Sequence, residues 1–243
     1  TTMKKTLLLA GMLLALTASV ASAAGAGVAW GNDCWGNNPV SNYTWACASN
    51  TNLNIRMMCT FKPAVTKATL VAADLYMEGM TEAAVVPDWW KLGAGECRST
   101  ALSLSVDGGN ISNPEACLDL WQSQGGGGIG LYSSEDNRMH INAVWAVADP
   151  VEAPAETEIM AAQFRVSAVK TLGTTACGGC LVPAIWALNY INVGYLGDTE
   201  ATILDYPYAG GNQCLTYQSS QLPCVDPVPA RNTTWGQVKS LYR

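Results

Sequence analysis

Apolar side chains in this chain recur at every second position, in runs that end at clusters of Gly, Asn, Asp and Pro. A period of two places one set of side chains on each face of an extended strand, so such runs fold as half-buried or buried β-strands. The runs cover residues 53–61, 68–77, 98–106, 129–133, 139–148, 157–172 and 183–196. In 98–106, Leu102, Leu104 and Val106 alternate with Ser103 and Ser105; in 139–148, Ile141, Ala143, Trp145 and Val147 share one face. A helical start at 154–158 is conceivable, but the alternation of Met160, Ala162, Phe164, Val166 and Ala168 favours one long strand over 157–172. Turn signals separate the runs: Asp107-Gly108-Gly109-Asn110, Gly125 to Gly128, Gly178-Gly179, Gly197-Asp198 and Gly210-Gly211-Asn212. Many strands with such turns and no long interleaved helix predict an all-β fold, an antiparallel β-sandwich with loops pinned by disulfides. Two helices are expected: a short turn over 114–121, and a C-terminal helix over 234–243 in which Trp235, Val238 and Leu241 or Tyr242 recur at helical spacing, capped by Thr233 or Thr234.

The first residues belong to a different part of the protein's life. Met3-Lys4-Lys5 precede an apolar stretch from Leu7 to Leu16, and a small-residue exit ends at Ala21-Ser22-Ala23. A basic start, an apolar centre and an Ala-x-Ala site make up a secretory signal, and ten apolar residues are too short for the ~20 that span a bilayer. Residues 1–23 are therefore expected to be removed, leaving 24–243 as one sandwich domain with an irregular segment at 24–53. Losing two lysines takes the formal charge from −6 to −8, with 11 basic against 19 acidic residues. That balance argues against nucleic acid or anionic lipid as partner. A secreted, periplasmic or cell-surface location is expected, with no membrane span.

All nine cysteines lie in the exported part, and an oxidising compartment makes a disulfide framework the leading expectation. Cys34/Cys47, Cys97/Cys117 and Cys214/Cys224 each flank Gly/Asn/Pro/Ser-rich segments, and Cys177/Cys180 bracket a glycine turn. These four pairs are the expected connectivity. Cys59, inside the apolar run Ile55 to Phe61, is expected to be a buried free thiol. Cys177-Gly178-Gly179-Cys180 has two alternatives, a redox dithiol or half a zinc site. The first wants a following helix where a strand is predicted, and the second wants further ligands in a chain with one histidine.

Catalytic signatures are sparse. His140 is the only histidine, lies opposite the apolar face of its strand, and has no Gly-x-Ser-x-Gly elbow to serve. Glu78, Glu82, Asp88, Glu96 and Asp119 are acids from which a hydrolase pair could be drawn, but nothing singles out two of them. Asp107-Gly108-Gly109-Asn110 and Asn32-Asp33 offer oxygen atoms for calcium, yet turn chemistry accounts for both, so no metal or cofactor is expected. The aromatic balance, nine Trp and nine Tyr against two Phe, is the strongest functional hint, because amphipathic rings at a surface stack on sugars or anchor proteins. Trp89, Trp90 and Trp35 are the candidate ligand-binding residues. If extended, the adjacent Trp89 and Trp90 point to opposite sides. The competing expectation is that the rings plug the sandwich ends and cover cystines.

The Cys-Trp-Gly-Asn head at Cys34 to Asn37, Pro87-Asp88-Trp89-Trp90, Gly127-Gly128-Ile129-Gly130, Ala176-Cys177-Gly178-Gly179-Cys180 and the terminal Trp235 to Arg243 together resemble a group of uncharacterised secreted bacterial proteins. The paired runs 158–167 and 185–193 also resemble the central strands of cohesin and carbohydrate-binding jelly-roll sandwiches. The first likeness brings no known activity, and the second implies a fold rather than a function. Three functions follow in order: a non-enzymatic structural or adhesive sandwich at the cell surface or in an extracellular assembly, a glycan-binding module using exposed Trp and Tyr, and a carboxylate-pair hydrolase. The expected partners are a polysaccharide or another extracellular protein, with self-association through sheet edges as a further expectation.

Overall fold

The computed structural model describes residues 24–35, 39–52, 55–106, 117–122, 124–208 and 211–224. The expected signal sequence at 1–23, the expected C-terminal helix at 234–243, residues 107–110 and the start of the expected turn at 114–121 lie outside them. Alternation does its work along most of the chain, giving β1 (Gly25–Trp30), β2 (Asn42–Tyr43), β3 (Arg56–Lys62), β4 (Lys67–Thr81), β5 (Leu102–Ser105), β6 (Gly125–Glu135), β7 (Arg138–Ala153), β8 (Ile159–Val166), β9 (Ala184–Tyr195), β10 (Thr202–Leu204) and β11 (Cys214–Tyr217).

Two sheets form. The smaller runs β1-β3-β8-β5 and the larger β2-β11-β9-β4-β7-β6, with β10 also paired to β9. Every strand pair is antiparallel except the two-residue match of β2 with β11, which is parallel. Met57, Cys59, Phe61, Phe164 and Val166 of the smaller sheet share one core with Leu75, Met77, Ile141, Trp145, Leu188 and Ile191 of the larger. The Sγ of Cys59 lies 3.7 Å from the Sδ of Met77, a direct contact between the layers. Cys59 is a free, buried thiol, as expected, and burial drives its pKa far above the ordinary value.

Several local expectations are corrected. Within 24–53, residues 25–30 are a fully buried strand rather than irregular chain. The strand pattern is hidden by Gly25 and Gly27, which are small because Tyr208 lies across them: a Cβ on Gly27 would sit 2.7 Å from the Tyr208 hydroxyl oxygen. Gly125 to Gly128 is the start of β6, not a turn, and pairs with Val147 to Val144. The strand in 157–172 ends at Val166, after which the chain turns. Residues 117–121 are not helical; Leu118 instead bridges to Ile159.

The cystines also differ from the expected set. Cys214–Cys224 forms as expected, but the other three are Cys34–Cys117, Cys47–Cys180 and Cys97–Cys177, in place of 34–47, 97–117 and 177–180. Turn-rich segments between neighbouring cysteines point to local pairing, whereas folding brings together cysteines 80 to 133 residues apart. In the Cys-Gly-Gly-Cys turn, Gly179 has φ +98°, and the two sulfurs go to different partners, which removes both the redox-dithiol and the zinc readings. Four cystines fit a chain that matures in an oxidising compartment.

Candidate functional site

The expected ligand-binding tryptophans are core residues. Trp89 and Trp90 sit on a single 3-10 turn, Asp88–Trp90, so they do not splay to opposite faces, and both are 0% exposed. Trp89 stacks on Tyr217 at 5.6 Å and donates from Nε1 to Thr171 Oγ1 at 3.0 Å. Trp90 meets Trp89, Trp186 and Tyr217 edge-on at 4.8, 5.6 and 5.1 Å. Trp121, Trp145 and Trp186 are buried as well, and Trp30 nearly so. Trp35 is half-buried, with its backbone N–H donated to Glu158 Oε1 at 2.7 Å. Trp30, Trp89, Trp90, Trp121, Trp145 and Trp186 all belong to the core of the sandwich.

The polar side chains gather on the outer face of the larger sheet. Along β7, Met139, Ile141, Ala143 and Trp145 point inward, which turns Arg138, His140, Asn142 and Val144 outward. Cross-strand register puts Tyr76 opposite Asn142 and Tyr190, Glu78 opposite His140, and Asp74 opposite Val144 and Asn192. A bulge makes this row. Between Leu188 and Tyr190 the register of β9 against β4 slips by one residue, so Ile191 and Val193 stay in the core while Tyr190 and Asn192 face out. The sequence carried a sign of it: the apolar set Ala184, Trp186, Leu188, Ile191, Val193 has one step of three among steps of two.

On this face the rings stand side by side. His140 and Tyr76 have centroids 5.9 Å apart with planes 14° from parallel, and Tyr76 and Tyr190 are 5.9 Å apart at 22°. The Tyr76 hydroxyl lies 2.5 Å from His140 Nδ1. Burial, then the charge of Arg138, lowers the His140 pKa, so the ring is neutral at pH 7. Burial raises the Tyr76 pKa, so its phenol keeps the proton, and the neutral hydroxyl and His140 Nδ1 share one hydrogen bond. Tyr190 is pushed up to about 12 by burial and the nearby Asp74. Burial also raises the Asp74 pKa against the opposing effect of Asn192, whose Nδ2 donates to Asp74 Oδ2 at 3.1 Å. The Oδ1 of Asn192 is buried without a hydrogen-bond partner among the described residues. Arg138 pairs with Glu78. Leu131, Val144 and Ile203 are exposed apolar residues on the same face.

The arrangement is a row of donors, acceptors and half-buried rings with exposed apolar residues beside it, suited to holding a polar partner by hydrogen bonds. The acids considered for hydrolysis are each engaged separately. Glu82 accepts from Ser220 and Gln221, Asp88 pairs with Lys91, Glu96 accepts from Gly93 and Ser134, and Asp119 accepts from the Trp121 backbone. Asn32 accepts from Arg56 at 2.6 Å, and no group of three His, Cys, Asp or Glu among the described residues is placed to hold a metal ion. No helix among the described residues is long and apolar enough to cross a membrane. No protein-family model matches the chain, and no curated protein matches it.

Proposed function

We propose that this chain is an exported, non-enzymatic adhesive sandwich that holds a partner at the cell surface or in an extracellular assembly on the outer face of its larger sheet. The row Tyr190–Tyr76–His140, flanked by Asp74, Asn192 and the Glu78–Arg138 pair, carries this reading. Its rings are only half-buried although the sandwich beneath them is filled with indoles, so their exposure is not a packing accident. The signal-like residues 1–23, the cystines and the low charge support export. Glycan recognition is the second reading. It rests on the same tyrosine hydroxyls and amides, which alternate donors and acceptors as sugar hydroxyls require, and not on Trp89 or Trp90.

Adsorption to washed envelopes of the producing bacterium tests both. The exported protein is expected to bind, to release no soluble products, and to lose binding in Tyr76→Ser/Tyr190→Ser. Protease-sensitive envelopes with periodate resistance identify a protein partner, and the reverse identifies a glycan. Binding that ignores the double substitution, or turnover of envelope polymer that Asp74→Asn or Glu78→Gln abolishes, overturns the adhesive reading.

A further inference from the structure

The sandwich treats its sheet edges unequally. The outer edge of β1 is covered by backbone from three segments: Ala26 N–H donates to Tyr206, Val28 N–H to Asn212 and Trp30 N–H to Val40. The edge strands β5 and β2 have four and two residues. β6 has eleven, and no described strand pairs with its far side; at its start Gly125 N–H donates to the Trp121 carbonyl at 2.7 Å. From Gly125 to Ser134 it carries neither charge nor proline, two of the devices that keep an edge from accepting another strand, and its one irregularity is a register shift against β7 between Ile129 and Leu131.

Two of its glycines have no purpose within the chain. A Cβ at Gly125 would press on Trp121, and one at Gly127 would lie 2.4 Å from the Trp145 Cβ, so both must be small. Gly126 and Gly128 face outward, opposite Ala146 and Val144, with nothing within 4 Å of a Cβ and no positive φ. Glycine there weakens the strand without relieving any contact. It does leave room for side chains arriving from outside.

We infer that β6 is a self-pairing edge, along which two copies of this chain join their larger sheets in antiparallel fashion about a two-fold axis perpendicular to the sheet. The face assignment selects the register. Gly125, Gly127, Tyr132 and Ser134 lie on the core side, opposite Val147, Trp145, Ile141 and Met139; Gly126, Gly128, Leu131 and Ser133 lie on the outer side. Opposed residues of an antiparallel pair point to the same face. A two-fold centred between Ile129 and Gly130 therefore sets Gly125 against Ser134, Gly126 against Ser133, Gly127 against Tyr132 and Gly128 against Leu131 of the second copy. Gly126 and Gly128 then receive the Ser133 and Leu131 side chains of the second copy in the open space on the outer side, while Trp121 and Trp145 of the same chain cover Gly125 and Gly127. The strand is self-complementary, with its small half matched to its large half. An isologous contact of this kind closes at two copies, and it sets both Tyr190–Tyr76–His140 rows on the same side of one continuous sheet. The pairing does not depend on what that face binds.

Sedimentation equilibrium from about 1 to about 300 µM, spanning ordinary homodimer affinities, tests this. The exported protein is expected to form a dimer and no larger species. Gly128→Lys/Leu131→Lys, which opposes two lysine pairs across the two-fold, is expected to melt at the same temperature and to dimerise about 100-fold more weakly or not at all. Gly128→Lys alone, at a site with open space, is expected to weaken the dimer as well. A wild-type chain that stays monomeric throughout, an open-ended polymer, or a dimer indifferent to these substitutions overturns the proposal.

Discussion

Replacing Cys47 and Cys180 together by alanine tests the long-range stapling of the sandwich. The bond closes a loop of 133 residues, for which the chain-entropy relation gives about 5 kcal/mol. The other cystines reduce that figure. With Cys34–Cys117 and Cys97–Cys177 intact, the shortest covalent path from Cys47 to Cys180 crosses both and contains only about 36 residues, so the entropic loss falls to about 3.8 kcal/mol. The two sulfurs also pack against the Tyr217 hydroxyl, at 3.8 and 3.5 Å, and leaving that space empty adds about 1 kcal/mol. Cys47→Ala/Cys180→Ala is therefore expected to lose about 5 kcal/mol in urea unfolding and roughly 10–20 °C in melting temperature. Denatured without reductant, it should titrate one thiol, Cys59. Local pairing of 34–47 and 177–180 would instead leave Cys34 and Cys177 free as well, so three thiols, or a loss below about 2 kcal/mol, would refute the reasoning.

Four further outcomes follow from the same structure. Arg98 is 0% exposed, donates to the carbonyls of Trp89, Ser167 and Val169 and lies 3.9 Å over the Trp89 ring, so Arg98→Met is expected to cost about 3–5 kcal/mol in urea unfolding; a loss under ~1 kcal/mol contradicts the clamp. Gly27→Ala is expected to destabilise by about 1–3 kcal/mol against Tyr208, which Glu158 and Thr60 hold in place, whereas Gly126→Ala is expected to be neutral or stabilising; equal effects would contradict the packing. The folded Asp74 keeps its proton above the ordinary 3.8, so its ionisation costs stability as pH rises through that window; Asp74→Asn is expected to be more stable than wild type at pH 7, with the gain vanishing in acid. His140 has the opposite sign: its lowered pKa makes its contribution complete above the ordinary 6.5 and lost as pH falls through the folded value, a slope that His140→Gln should remove from a pH series of melting temperatures.

Much of the fold is legible in the sequence because alternation and burial report the same thing. The runs containing β3, β4, β7 and β9 show their core faces in residue type alone, and Cys59 reads as a small hydrophobe among Met57, Met58 and Phe61. Alternation fails where packing demands residues without side chains: β1 is masked by the glycines under Tyr208, and the start of β6 by those against Trp121 and Trp145. Trp89 and Trp90 misled because adjacent rings splay only in an extended chain, and a 3-10 turn after Pro87 carries both into the core. Cystine pairing depends on which loops meet once the sheets close, a property of topology that spacing does not encode. The outer-face row needs three strands in register and a bulge, so only the irregular step in β9 hints at it.

Hydroxyl-radical footprinting of the exported protein, free and adsorbed to its envelope partner, tests the assignment of function to the outer face most directly. Tyr76, His140 and Tyr190 should be oxidised in the free protein and shielded in the complex, with Trp89 and Trp90 unreactive in both. Shielding confined to Trp35 or to the outer side of the smaller sheet, with the tyrosines oxidised equally in both states, would contradict it.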